Sequence, residues 1–180
     1  KNISYLAISR PKNLTIFATL LNFLELNKDL KFKNLITNLG FVDFTPKKQE
    51  NIADMLLQIN QFFSLKTIVY EKESYMLNGG GSERMKILEY SKDYALYIEE
   101  IWKNRFENVF LINTPIVPEN IQIERQRPKS FFKQLYVTNK FIENIILMDK
   151  KFNLIDIKNI NHTFDAVHYT SKGHNEVFLK

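Results

Sequence analysis

The residues of this chain best suited to chemistry lie near its end. One of its three histidines, His168, follows Asp165 by three positions. An imidazole changes charge near neutrality, so it can take a proton from a hydroxyl and hand it to a leaving group. A carboxylate beside the ring orients it and stabilises its cation. Two residues three apart in one loop can meet in that way. A serine-based acyl transfer would then need a hydroxyl that only the fold could bring to His168. Ser9, at the end of the first apolar run, is the candidate.

The elements that must position these residues can be read from the apolar spacing. Residues 2–8 read as a buried strand. Pro11 suits the first turn of a helix whose inner face is Leu14, Phe17, Ala18, Leu21 and Leu24. Residues 34–38 read as a second strand, closed by Gly40. Thr45-Pro46 opens a helix with Ile52, Met55, Leu56, Ile59 and Phe63 inward. Residues 65–70 read as a third strand, followed by the chain's one glycine cluster, Asn78-Gly79-Gly80-Gly81-Ser82. Ser82 with Glu83 then suits the start of a long helix carrying Ile87, Leu88, Tyr94, Ala95, Ile98, Ile101 and Trp102. Residues 108–113 form a fourth strand. Residues 114–128 hold three of the five prolines and read as a loop. Helical spacing returns from Ser130 to Met148, a fifth strand covers 152–157, and a last helix begins at Thr170.

Strand and helix thus alternate five times. That order predicts a single α/β domain over residues 1–180, with about five parallel strands and helices on both faces, a three-layer flavodoxin-like sandwich. In such sheets ligands sit beyond the carboxyl ends of the strands. The loops there hold Ser9, Gly40, Asn78, the proline-rich segment, and Asp165 with His168.

The run Asp165-Ala-Val-His168-Tyr-Thr-Ser-Lys-Gly173-His174 resembles the terminal Asp-x-x-His block of SGNH/GDSL-type serine hydrolases. The order of Ser9, Gly40, Asn78 and Asp165/His168 is similar to that superfamily's order of functional residues across the whole chain. The resemblance implies Ser9 as nucleophile, His168 as general base and Asp165 as its orienting carboxylate. It implies an oxyanion site made by the backbone N–H groups of Ser9 and Gly40 and the side chain of Asn78. It implies an esterase or acyltransferase that needs no cofactor or metal. The substrate would be a small acyl ester, an O-acetylated carbohydrate among them. Two blocks depart from the superfamily's pattern. Ala7-Ile8-Ser9 stands where it has Gly-Asp-Ser, and Met76-Leu77-Asn78-Gly79 stands where it has Gly-x-Asn-Asp. The alternative these departures open is a module that keeps the fold and binds without turnover.

Other readings compete at particular residues. Ser9 before a proline-started helix also suits a cap, and Gly40 and Asn78 also suit plain turns. Histidines 162, 168 and 174 could hold a metal, although spacings of six present no ready helical or strand face. The Gly79–Gly81 loop before a helix could cradle phosphate, but no lysine follows it in the P-loop spacing. Arg125 and Arg127 could meet an anionic substrate.

Composition bounds the classes further. An apolar fraction of 44% with 15 Phe and 8 Tyr supplies a core and opposes disorder. A formal net charge of +5 is spread among interspersed acids and bases, without the clustered basic face that nucleic acid requires. No apolar stretch approaches the ~20 residues of a membrane span. The absence of cysteine excludes disulfides, thiolate metal sites and a cysteine nucleophile. The sequence opens at Lys1 with no signal-like segment, as a trimmed product would, so it assigns neither compartment nor oligomeric state.

Overall fold

A computed structural model describes residues 6–8, 15–38, 43, 49–60, 69–78, 81–90, 92–118, 121, 129–157 and 159–179. Where the chain enters its first described helix, polar side chains set the boundary. α1 spans Ile16–Leu26, and Thr15 caps it by accepting the N–H of Ala18 at 2.9 Å. The described helix thus begins at Ile16, with Thr15 as its cap; the expected start at Pro11 lies outside the described residues. The buried carboxylate of Asp43 accepts the next free donors, the N–H groups of Ile16 and Phe17. A negative group is favoured there by the unpaired amides and the helix dipole. At the other end Arg105 donates its guanidinium hydrogens to the carbonyls of Leu24, Asn27 and Leu30.

Of the expected inner face of α1, Phe17, Ala18, Leu21 and Leu24 are buried, and Leu14 lies outside the described residues. α2 (Gln49–Asn60) buries Ile52 and Met55 as its periodicity predicts. β1 is Phe32–Thr37, α3 is Lys92–Arg105, β4 is Phe106–Ile112, α4 is Lys129–Ile146, β5 is Phe152–Ile155 and α5 is Ser171–Leu179. β1, β4 and β5 form one parallel sheet in that order. Leu35 lies opposite Val109, and Val109 opposite Phe152. The fold class is α/β, with a three-stranded parallel sheet among the described residues.

One expected stretch folds differently. Val69–Asn78 (β2) and Gly81–Tyr90 (β3) pair antiparallel along their full length, from Val69 opposite Tyr90 to Asn78 opposite Gly81. Val69 and Tyr70 therefore begin a hairpin strand and do not end a parallel one. Ser82–Tyr90 is strand, and helix starts only at Lys92. The adjacent pair Ile87-Leu88 fits a helix or a strand, and such a short apolar run is decided by its pairing partner. Asn-Gly followed by glycine between two β-prone runs is itself a hairpin signal, which the Ser82-Glu83 capping pattern masks. Of the expected first strand only Leu6–Ile8 are described, in no regular element, with Ile8 packed against the main core.

Pleating sorts β4 between two apolar clusters. Val109 and Leu111 enter the main core with α1, Trp102 and Ile98 of α3, and Ile142 and Ile145 of α4. Ile112 meets Ile155 and Ile157, with Phe110, Tyr169 and Val177 packed around them. Each fully buried side chain of this size contributes about 1.5–3 kcal/mol. Among the described residues no helix is long and apolar enough to cross a membrane.

Candidate functional site

Because β1, β4 and β5 are parallel, their carboxyl ends share one rim, and the chain leaving β5 there carries Asp165 and His168. Buried amides fix the rim. Asn113, just past β4, donates to the Asp156 carboxylate and accepts the Ile157 N–H, both at 2.8 Å, which ties the exit of β5 to that of β4. Asn139 of α4 accepts the N–H and the hydroxyl of Thr114 and donates to its carbonyl. Ile116 then bridges to Asn159 in parallel fashion. These amides sit far from their partners in sequence, so nothing local signals them.

Beyond Asn159 a single 3-10 turn, Ile160–His162, leads into a loop closed on itself. Thr163 bridges to Tyr169, and the Phe164 N–H donates to the His168 carbonyl at 3.1 Å. Inside that closure Asp165 accepts the backbone N–H groups of Val167 and His168 at 3.1 and 2.9 Å. The His168 ring places Nδ1 at 2.9 Å from Oδ2 and 3.1 Å from Oδ1 of the same carboxylate. An ionised carboxylate only accepts, so in the neutral imidazole the Nδ1 proton is donated to it and the lone pair sits on Nε2. The tight turn requires Ala166 at φ 65°, the one non-glycine residue with positive φ among the described residues. That conformation costs an L-residue roughly 1–2 kcal/mol, and the burial of Ala166 against Leu135 holds it there.

The pair is asymmetric. Asp165 is buried at 2% exposure, whereas the His168 side chain is 58% exposed. Burial by itself pushes the Asp165 carboxyl up. The hydrogen bonds from the His168 backbone and ring and from the Val167 N–H outweigh it and hold the group below the ordinary carboxylate range. Phe164 stacks on the imidazole, with centroids 5.5 Å apart and planes within 16°. The ring is thus fixed on one edge and one face while Nε2 remains accessible, an arrangement that suits proton abstraction.

α5 anchors the far end of the loop. Thr170 caps it by accepting the Gly173 N–H, and donates its own N–H to the His162 carbonyl at 2.9 Å. That carbonyl presses on Gly173, where a Cβ would lie 2.0 Å from it. The glycine of the terminal block is there for close approach. His174 meets Tyr169 edge-on, at 5.4 Å and 90°. Among the described residues no three histidine or carboxylate side chains are placed to hold a metal ion.

Of the residues expected at the site, the structure brings together Asp165 and His168. Ser9 and Gly40 lie outside the described residues, as do Arg125 and Arg127. Asn78 ends a hairpin strand opposite Gly81. The premise that placed it at the close of a parallel strand before a helix is therefore withdrawn, and with it the phosphate reading of the glycines, which precede a strand. Sequence reasoning missed Asn113, Asn139, Ala166 and the Phe164 stack; for the last, an aromatic next to Asp165 was the available signal.

Comparison of the chain with models of protein families, with curated proteins and with solved structures finds no match among any of the three.

Proposed function

We propose that the protein is a serine hydrolase of the SGNH/GDSL type acting on an acyl ester. One observation carries the reading: an exposed imidazole whose Nδ1 is held by a buried carboxylate and whose Nε2 is open, on a loop at the carboxyl ends of parallel strands. Such a pair does the work of the base and its orienting group in serine acyl transfer. In the proposed reaction the Ser9 hydroxyl attacks the ester carbonyl while His168 Nε2 takes its proton. The backbone N–H groups of Ser9 and Gly40 meet the oxyanion. His168 returns the proton to the departing alcohol, then activates water to release the acid. Asp165 stays ionised throughout. An oxyanion role for Asn78 is supported by residue type and by the resemblance of block order, not by topology. The same reading sets the parallel sheet within the larger three-layer sandwich of that superfamily.

The test is labelling of the folded protein with a fluorophosphonate probe, followed by peptide mapping. Ser9 should carry the label. His168→Ala should abolish both labelling and turnover of nitrophenyl acetate, with a small effect on stability because the ring is largely exposed. Label on another serine would overturn the nucleophile assignment. No label at all on folded protein would leave a binding module.

A further inference from the structure

We infer that the cavity between the loop after β4 and helix α4 binds the acyl chain of an uncharged ester. The inference rests on the esterase reading and names its substrate class, an acyl group longer than acetyl.

The cavity holds about 260 Å³. Pro115, Ile116 and Val117 form one wall, and Phe132, Leu135 and Tyr136 the other. Its amide and charged side chains are engaged by protein partners. Asn139 spends its amide on Thr114, as described above. Lys140 is paired with Glu143 at 2.8 Å and lies over the Tyr136 ring. A sugar or an anion would have to break these pairings to be recognised, whereas a hydrocarbon chain needs only the apolar walls. A cavity of about 150 Å³ takes a six-carbon ring, so this one holds a chain of roughly eight to ten carbons.

Position connects the cavity to the chemistry. Val117, Phe132 and Leu135 pack in one cluster with Ala166 and Val167, the two residues between Asp165 and His168. The wall that would grip the chain is thus the wall that supports the base. An acyl tail seated there would have its carbonyl end beside the His168 loop.

Two measurements test the proposal, and the first does not depend on turnover. Saturation-transfer NMR titrations should show octan-1-ol binding at least about tenfold more tightly than butan-1-ol, since each buried methylene is worth up to about fourfold. Ile116 is exposed at the rim, so Ile116→Trp should fold as the parent does, shown by its melting curve, yet weaken octanol binding about tenfold. Val117→Phe, which narrows the cavity from the wall, should do the same. In the second measurement, kcat/KM for nitrophenyl esters should climb from acetate to octanoate by about two- to fourfold per methylene, then level off. Ile116→Trp should flatten that climb. Octanol binding that is absent, or indifferent to both variants, overturns the acyl pocket whatever the activity. A flat chain-length profile in an active parent also overturns it. Octanol binding that the variants weaken, in a protein that turns over no ester, upholds the pocket and removes the esterase reading alone.

Discussion

Replacing Gly173 by alanine should damage the protein although alanine is the better helix former. A Cβ at this position lies 2.0 Å from the His162 carbonyl oxygen and 2.9 Å from its carbon. Ordinary contact begins near 3.4 Å, so the backbone must separate by about 1.4 Å. The same carbonyl accepts the Thr170 N–H at 2.9 Å and its hydroxyl at 3.2 Å, and Thr170 caps α5. Losing those two hydrogen bonds costs about 1–3 kcal/mol. Forcing backbone apart in a packed site adds about 1–3 kcal/mol. Alanine returns at most about 1 kcal/mol of helix propensity. The net loss should be about 1–6 kcal/mol, and for a chain of this size each kcal/mol lowers Tm by roughly 2–4 °C. Differential scanning calorimetry of the parent and Gly173→Ala measures it. Asn175→Ala, at an exposed position of the same helix, controls for propensity and should be neutral or slightly stabilising. Because Thr170 ends the loop that carries Asp165 and His168, the proposed esterase activity should fall with stability. A Gly173→Ala protein as stable as the parent would refute the close-approach argument.

Asp165→Asn should cost about 1–3 kcal/mol at pH 7, because an amide nitrogen would face donors that the carboxylate now accepts. The carboxyl is lowered in the folded state, so its contribution is present above the unfolded value near 3.9 and is lost as pH falls through the lower folded value. Urea unfolding of parent and variant should therefore differ at pH 7, and the gap should close as pH falls below the ordinary carboxylate range; an undiminished gap in acid would contradict the assignment. Asn139→Ala leaves the buried N–H and carbonyl of Thr114 without partners and should cost about 3–4 kcal/mol by chemical denaturation, with Asn139→Asp only partly restoring it. Arg105→Met keeps the apolar stem and removes the donors at the end of α1, so a loss of about 1.5–3 kcal/mol is expected from the same measurement.

The features legible in the sequence are those written within a few residues. The inner faces of α1, α2 and α3 follow from 3.6-residue spacing, because a helix brings Phe17, Leu21 and Leu24 to one side without help from the rest of the chain. The Asp165–His168 pair is legible for the same reason: only two residues separate them, so carboxylate and ring meet once the turn closes. The helix expected from Ser82 was the failure, since Ile87-Leu88 is compatible with both periods and only pairing with Val69–Asn78 selects the strand. Tertiary structure alone decided the rest. Asn113 and Asn139 find their partners 43 and 25 residues away. The positive φ of Ala166 is tolerated because Leu135 of α4 packs over it. The glycine at 173 has its reason in a carbonyl eleven residues earlier, which local spacing cannot place. Local periodicity chooses which face turns inward; long-range packing and buried hydrogen bonds choose what that face meets.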